Sequence, residues 1–448
     1  MAEVAGAFYA LPMPVLMEPI RTVRGLGSTA RDFATMVGHA AVTDGFRRAR
    51  AAEAPRSIPR TSFDPREHET LADPYRWLPK LHEHPLWVSE RLNVWMISGY
   101  EDLRRAGLDH EALSSAEGIF LQAMTTKSMG TRDRPDHTRL RGVVAKPFTR
   151  EALLALEPDI VRLTDEGIDR VLAGETRDLV DALCAPVPMS AIALLLGIPP
   201  ERWREFRRWA EPLAEVFAPS SPVDVFWHAT RAVPRLLGFR RLIGEEMKRR
   251  GEQPREDVLG LVRRAQDAGE VDAIEAYNYS LIMLLAGQET TANLLGSTFA
   301  ALAQHPELYS RLRRDRSLLP GAIEEFLRWS SPVQWVTRWT REPYEVAGQP
   351  IPANARVMLP WMFGNRDPRR FAEPDRIDID RDAKGHLGFG SGIHFCLGSH
   401  LARLEARAVL ERFLDRIERL ELAGTVRYSK TISLHGPAHV PVRITPAA

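Results

Sequence analysis

Cysteine is almost absent from this chain of 448 residues, which contains only Cys184 and Cys396. Two cysteines cannot form the disulfide framework of a small secreted protein, so a reducing, cytoplasmic location is expected. The first apolar stretch, residues 5–17, also lacks the preceding basic segment of a signal peptide. The sequence therefore argues against a secreted protein.

Long apolar runs and an excess of one charge are missing too. Pro12, Pro14 and Glu18 interrupt or end the first apolar stretch, and later runs are shorter still than the ~20 residues of a membrane span. The 60 basic and 59 acidic residues nearly cancel, which excludes a global field that attracts nucleic acid or an anionic membrane. We expect a soluble monomer without a membrane span and without a nucleic-acid partner.

Apolar residues, in contrast, make up 44% of the chain and can form a large core. Residues 1–40 show no sustained period and are expected to be an N-terminal extension of uncertain structure. Residues 41–448 are predicted to be one domain, because no flexible linker divides them. Helical periodicity dominates up to about residue 316. Short strands are predicted at 86–88, 94–97, 333–338, 344–346 and 356–359, with a last pair within 425–444.

A glycine-rich loop carries the second cysteine. Residues 385–398 read GHLGFGSGIHFCLG and contain five glycines, which permit positive φ and a close approach of the backbone to a ligand. Apolar residues at helical spacing follow Cys396, so this residue is predicted to lie just before a helix N-terminus. That position stabilises a thiolate, the form that binds a metal or attacks an electrophile.

Several interpretations compete for Cys396. A zinc site needs three or four ligands, and the loop offers only His394 besides the cysteine. A nucleophilic cysteine needs a base and an oxyanion hole, for which nothing else in the loop argues. A haem-thiolate site uses one axial cysteine, an apolar contact such as Phe389 and a cation near the propionates such as His394. Only this interpretation uses every special residue, whereas a buried free thiol is the expectation for Cys184.

The pattern Phe389-x-x-Gly392-x-His394-x-Cys396-x-Gly398 resembles the haem-binding signature of the cytochrome P-450 superfamily. The resemblance extends from about Asp73 to the C-terminus. It implies a mainly α fold with small β-sheets, in which a long central helix crosses the haem and the cysteine loop lies on the proximal side. It also implies haem b (iron protoporphyrin IX) as the cofactor, with Cys396 as the iron ligand and Phe389, His394 and Gly398 among the haem-binding residues.

A second motif interrupts a long helical pattern. Residues 271–304 predict a helix of roughly 50 Å that ends at His305-Pro306. Its middle, residues 286–291 (AGQETT), is consistent with either a kinked core helix with one solvated face or a functional site. The Thr290 hydroxyl is expected to donate a hydrogen bond to the carbonyl of Ala286. The resemblance implies that Ala286 and Gly287 leave room for dioxygen and that Glu289 and Thr290 deliver protons, although many relatives carry Asp in place of Glu289.

Charged residues form two further constellations. Glu325 and Arg328, at i, i+3 spacing, resemble the structural E-x-x-R pair of the family, although such spacing also arises by chance in a chain this charged. His137 and Arg141, at i, i+4 spacing, resemble the haem-clamping helix. Arg338, in an otherwise apolar strand, is the matching cation from the other side. Exposed ion pairs are the alternative interpretation for these cations.

The resemblance also implies a substrate pocket lined by apolar side chains. These are Ile119, Phe120, Leu121, Ile282, Leu285, Val333, Trp335 and Leu434. Their character suggests a hydrophobic or aromatic small molecule as the substrate.

The implied activity is that of an O₂-dependent monooxygenase, an oxidoreductase that inserts one oxygen atom into an organic substrate. The chain ends 52 residues after Cys396, so NAD(P)H-derived electrons are expected through a separate ferredoxin and ferredoxin reductase, or a flavodoxin. A basic docking surface is predicted at Arg139, Lys146, His400 and Arg403. A haem-thiolate peroxygenase or isomerase and a non-enzymatic haem sensor remain as alternatives.

Overall fold

The computed structural model describes residues 54–121, 127–210 and 222–447. The predicted extension at residues 1–40, and the boundary at residue 41, lie outside the described residues. Helices dominate the described residues and the strands form small sheets, so the predicted fold class is confirmed. Within the described residues, no helix combines the length and the apolar character that crossing a membrane requires.

The α-helices are numbered here in chain order. They are α1 (His68–Ala72), α2 (Leu78–Leu81), α3 (Tyr100–Leu108), α4 (Asp136–Val144), α5 (Arg150–Leu154), α6 (Glu157–Leu172), α7 (Pro186–Leu196), α8 (Trp203–Ala210), α9 (Pro222–Glu252), α10 (Val258–Asp267), α11 (Ala273–Gln304), α12 (Pro306–Arg314), α13 (Leu319–Ser330), α14 (Trp361–Asn365) and α15 (Ser399–Arg416).

The strands are numbered in the same way. They are β1 (Arg60–Thr61), β2 (Leu86–Ser89), β3 (Val94–Ile97), β4 (Leu113–Ser114), β5 (Val336–Thr340), β6 (Tyr344–Val346), β7 (Gln349–Ile351), β8 (Arg356–Leu359), β9 (Ile417–Leu422), β10 (Arg427–Tyr428), β11 (Pro437–His439) and β12 (Val442–Pro446). One sheet has the order β1-β2-β3-β8-β5-β4, and the two-stranded sheets are β6-β7, β9-β12 and β10-β11.

Most predicted strands are present in the structure. The predicted strands 86–88, 94–97, 344–346 and 356–359 match β2, β3, β6 and β8, and β10 and β11 form the pair expected within 425–444. The predicted strand 333–338 overlaps β5, which begins at Val336. The sequence analysis missed β9, which begins at Ile417 directly after α15 ends at Arg416. No glycine or proline separates the two elements, so the local sequence carries no stop signal at that point.

The long helix α11 is the centre of the larger core. Asp272 caps its first turn and Glu275 completes a capping box, while the helix ends at Gln304 ahead of Pro306. Residues 291–302 are all buried, whereas residues 281–290 are mostly half-buried. This difference divides α11 into a core half and a half that faces open space inside the protein.

The Glu325–Arg328 pair lies completely inside the protein. Both side chains have zero exposure, and the guanidinium donates two hydrogen bonds of 2.7 Å to the carboxylate. Arg328 also donates to the carbonyl oxygens of Asn365 and Pro374, each at 2.8 Å. The pair therefore links α13 to the end of α14 and to the loop that follows it.

Arg328→Ala is expected to destabilise the protein by about 3–5 kcal/mol, because the buried Glu325 carboxylate loses its two shortest charged hydrogen bonds and keeps only Arg381, at 3.3 Å, and the amide of Asp378. Arg162 and Asp159 have the same i, i+3 spacing but about half-exposed side chains, so Arg162→Ala should cost less than about 1 kcal/mol. Urea denaturation followed by circular dichroism measures both losses. Equal midpoints for the two variants would contradict the structural role of the buried pair.

Candidate active site

A cavity of about 310 Å³ lies between α11 and the loop that contains Cys396. The α11 side of its lining includes Ala286, Gly287 and Thr290, and the loop side includes Phe389 and Cys396. Most other lining side chains are apolar. The structure thus brings the two sequence motifs, which begin 99 residues apart in the chain, to the lining of one cavity.

The cysteine loop folds back on itself so that its backbone is internally bonded. The amide of Cys396 donates to the carbonyl of Phe389 at 3.0 Å. Gly392 has φ of 73°, and a Cβ atom there would overlap the carbonyl oxygen of Gly107 at the end of α3. Glycine is therefore required at position 392 both by conformation and by contact.

Cys396 precedes α15, as predicted, with Gly398 as the N-cap residue. Burial raises the pKa of the Cys396 thiol, while the backbone amide of Gly398 and the positive charges of Arg141 and Arg403 act in the opposite direction. Within the described residues no cluster of three or more His, Cys, Asp or Glu side chains is arranged to hold a metal ion. This geometry does not support the zinc alternative.

Polar contacts to α13 hold the loop in place. Glu324 accepts hydrogen bonds from Arg403 at 2.6 and 2.8 Å and lies 3.1 Å from His386 Nε2. Burial alone would raise the pKa of Glu324, but these partners outweigh it and bring the pKa to about 2. The Asn365 side chain accepts from the amide of Leu387 at 2.6 Å. The sequence analysis assigned no anchoring role to Glu324, His386 or Asn365, because their pairing depends on tertiary contacts.

Four basic side chains converge on the cavity. They are His137, Arg141, Arg338 and His394. The rings of His137 and His394 meet edge to face, with centroids 4.7 Å apart. Arg338 donates to the carbonyl of Thr337 at 2.9 Å, and Arg141 lies 3.4 Å from the carbonyl of Ile393. Within the described part of the chain, neither arginine has a carboxylate at ion-pair distance.

Burial without an acidic partner shifts the pKa values of this group downwards. It lowers the pKa of Arg338 to about 10, with Asp133 opposing the shift. It lowers the pKa of His394 to about 2, and the positive charges of Arg338, His137 and Arg141 add to the effect. The pKa of His137 falls for the same reasons. The two arginines therefore make this part of the cavity electropositive, while both histidines are neutral near pH 7.

Haem fits these residues. His137 Nδ1 and His394 Nε2 are buried nitrogen atoms without a hydrogen-bond partner in the structure, and such atoms normally have one. The two propionates of haem b would supply acceptors and two negative charges at this end of the cavity. Cys396, which lines the same cavity, would supply the single sulfur ligand that a haem-thiolate iron requires.

The middle of α11 stays helical across the AGQETT motif. The Thr290 hydroxyl donates to the carbonyl of Ala286 at 2.6 Å, as the sequence analysis expected. A Cβ atom at Gly287 would overlap the side chain of Ile192 on α7, which also lines the cavity. Packing against Ile192 therefore favours glycine at position 287. The sequence could not show this contact, because Ile192 lies 95 residues earlier in the chain.

Glu289 is not among the residues that line the cavity. Its carboxylate accepts a hydrogen bond of 3.1 Å from the hydroxyl of Thr431. Burial raises the pKa of Glu289 to about 6, against a smaller lowering by Thr431. A carboxyl group with this pKa exchanges its proton near neutral pH.

The pocket prediction is only partly consistent with the cavity. Ile119, Ile282 and Val333 line it. Five predicted residues are absent from its lining and correct the sequence-based assignment: Phe120, Leu121, Leu285, Trp335 and Leu434.

The local packing explains several of these corrections. Trp335 is fully buried in a separate cluster, and its indole donates to the carbonyl of Ile432 at 2.8 Å. Leu121 packs against that same cluster, and Leu285 packs against the main core. Leu434 pairs with Val333 through a β-bridge. Helix face and strand partner decide these positions, and local hydrophobicity does not reveal either.

The predicted basic docking surface also changes. Arg139 pairs with Glu275 at 2.8 Å and with Asp136 at 3.3 Å. Arg403 pairs with Glu324 and stacks over the ring of Phe389 at 4.5 Å. Arg139 is exposed but engaged in these surface ion pairs, Arg403 is half-buried, and Lys146 and His400 are exposed.

Gly287→Ala is expected to destabilise the protein by about 1–3 kcal/mol, because the added methyl group displaces Ile192. Ile192→Ala removes the obstructing atoms at its own cost of about 2–5 kcal/mol. The double variant should lose less stability than the sum of the two single losses, and the difference should be at least about 1 kcal/mol. Denaturation of the three variants and the wild type completes this cycle, and strictly additive losses would contradict the contact.

Comparison with known proteins agrees with this geometry. The family described as "Cytochrome P450" matches residues 242–423. The "Beta-dihydromenaquinone-9 omega-hydroxylase" of Mycobacterium tuberculosis is 34% identical over 397 residues, which cover 86% of this chain and 79% of that protein. The "6-deoxyerythronolide B hydroxylase" of Saccharopolyspora erythraea is 33% identical over 373 residues, covering 79% of this chain and 90% of that protein.

Solved structures show the same similarity. The crystal structure of CalO2 matches with a TM-score of 0.78 at 30% identity and covers 86% of this chain and 99% of its own. CYP109E1 from Bacillus megaterium in complex with testosterone matches with a TM-score of 0.76 at 28% identity, covering 84% and 98%. Together with the cavity and its cysteine, these relatives show that the chain belongs to the cytochrome P450 family and is a haem-thiolate monooxygenase.

Proposed function

We propose that Cys396 holds haem b in this chain through its thiolate and that His137, Arg141, Arg338 and His394 bind the two propionates. The convergence of four basic side chains without an acidic partner, on the same cavity as Cys396, supports this assignment most strongly. Phe389, Gly398, Ala286 and Gly287 would complete the haem contacts. When bound, haem supplies the redox chemistry that reduces dioxygen and oxidises the substrate.

The protein positions the reactants, excludes water from the cavity and supplies protons. The apolar lining of the cavity keeps bulk water from the reacting atoms. The Thr290 hydroxyl is at the cavity wall and can exchange its bond to the Ala286 carbonyl for one to a ligand. Glu289, adjacent to Thr290 in the chain, would hold the proton that Thr290 passes on. Its pKa of about 6 suits this task.

We further propose that the substrate is bulky and apolar. The cavity lining is dominated by aliphatic and aromatic side chains, including Ile119, Ile192, Ile282 and Val333. Relatives at 33–35% identity are named for dihydromenaquinone-9, 6-deoxyerythronolide B and vitamin D₃. These are large molecules with extended hydrocarbon surfaces. Binding energy would then come mainly from burial of apolar area.

A separate carrier would deliver NAD(P)H-derived electrons from the proximal side. Phe395, next to Cys396, is 41% exposed and also lines the cavity. Exposed Lys146 and His400 are available to an acidic ferredoxin or flavodoxin, and the positive charge of Lys146 would steer its approach. An intracellular electron source and two free thiols favour a cytoplasmic location.

Cys396→Ser is expected to abolish the far-red Soret band that a thiolate-ligated haem shows after reduction and addition of carbon monoxide, because serine is a poor ligand for this iron. Cys184→Ser is the matched control, since its fully buried thiol lies in the core away from the cavity. That control should keep the band. A normal band in Cys396→Ser would disprove the ligand assignment.

Thr290→Ala is expected to retain haem but to divert electrons from product into hydrogen peroxide, with a loss of productive turnover of ~10²–10⁴-fold. Thr298 provides the control, because its hydroxyl makes the same bond to a carbonyl four residues earlier, at 2.8 Å, on the buried half of α11. Thr298→Ala should leave the peroxide yield per NADPH near the wild-type value. Equal peroxide yields in all three proteins would show that Thr290 has no part in proton delivery.

A further inference from the structure

Glu289 is bonded to a segment of the chain that the sequence motifs do not include. Its Oε1 atom accepts the hydroxyl hydrogen of Thr431 at 3.1 Å. Thr431 is buried, at 6% exposure, and lies between β10 and β11. The hydrogen bond therefore links Glu289 on α11 to the C-terminal strands and not to the cavity.

The hydroxyl contacts continue towards the surface. Thr431 Oγ1 is 3.5 Å from Ser429 Oγ, and Ser429 is half-buried between the exposed residues Tyr428 and Lys430. Two hydroxyl groups thus bridge the distance between a partly solvated position and a buried carboxyl group. A hydroxyl can accept one proton while it donates another, which a carbonyl or an apolar group cannot do.

Close packing fixes this segment against α11. A Cβ atom at Gly436 would overlap the side chain of Asn293, one helical turn after Glu289. A Cβ atom at Gly296, one turn further, would lie 3.3 Å from Pro437. Backbone contacts of this kind hold Thr431 near Glu289 independently of the hydrogen bond between them.

We propose that Ser429 and Thr431 form the route by which protons from solvent reach Glu289. The proposal rests on the proposed function, in which Glu289 supplies protons to the cavity. After Glu289 has given up its proton, its carboxylate takes the hydroxyl proton of Thr431. Thr431 takes that of Ser429, and Ser429 takes one from hydronium in solvent. One proton enters, one leaves, and no electron is transferred.

Few charged groups interfere with this route. Among the described residues, Glu289 has no lysine, arginine or histidine within ion-pair distance. On the neighbouring segment, burial lowers the pKa of His435 to about 4, so this ring is neutral near pH 7. His439 lies 2.6 Å from Asp178, and Lys430 is exposed. Glu289 and Thr431 can therefore be tested as a pair.

The first test uses infrared spectroscopy of the haem-loaded protein across a pH series. The carbonyl band of protonated Glu289 is identified by its loss in Glu289→Gln. Thr431→Val should move this band to higher frequency and raise the pKa at which it disappears, because the hydrogen bond from Thr431 lowers that pKa. Thr431→Ser keeps a hydroxyl and should restore both values.

The second test measures how dioxygen is reduced, with NADPH supplying electrons through a plant ferredoxin and its reductase. Thr431→Val and Ser429→Ala should slow water formation on the order of tenfold and raise the share of peroxide. This loss is smaller than the ~10²–10⁴-fold loss expected when the proton donor itself is missing. Ser433→Ala removes a buried hydroxyl on the same segment that has no hydrogen-bond partner. This control should match the wild type.

The outcomes separate the two proposals. If Glu289→Gln leaves water formation unchanged, the relay in the proposed function is wrong, and the route is overturned with it. If Glu289→Gln slows water formation but Thr431→Val and Ser429→Ala do not, only the route is overturned. A band position and a pKa that are identical in Thr431→Val and wild type would overturn the contact itself.

Discussion

An uncompensated positive charge inside the protein is the constraint on which the site depends. His137 and Arg338 are buried, Arg141 and His394 are half-buried, and the described chain gives the two arginines no carboxylate at ion-pair distance. A charge in a medium of low polarity carries a desolvation cost unless it is paired. A cofactor with two carboxylates would remove that cost, so under the proposed function these residues would favour the binding of haem in the cavity that Cys396 also lines.

The scaffold around the site keeps the cysteine loop from moving. Glu324 binds Arg403 and His386, Asn365 binds the amide of Leu387, and the buried Glu325–Arg328 pair holds the end of α14 against α13. Each contact crosses between elements that are far apart in the chain. A loop that would hold a metal ligand has to be rigid, and a network of charged hydrogen bonds is stiffer than apolar packing alone.

The sequence predicted the parts of this site that are written in local patterns. The glycine spacing around Cys396 identified the loop, and the AGQETT motif identified the cavity half of α11. The sequence analysis did not place Trp335 in a separate cluster, Arg403 on Glu324 or Thr431 beside Glu289. In each of these cases the partner lies on another element, and no periodicity within one segment encodes which side chains meet. The sequence analysis missed strand β9 for a different reason, because no glycine or proline separates it from the end of α15.

The most direct test of the account compares the binding of haem with that of its dimethyl ester, in which both propionates are uncharged. The measurement is the dissociation constant of each porphyrin with the apoprotein, obtained by transfer to an acceptor protein. If the basic group exists to bind two carboxylates, the ester should bind on the order of 10²-fold more weakly or worse, because each hydrogen bond to a charged group contributes about 1.5–3 kcal/mol. Equal affinities would contradict the account.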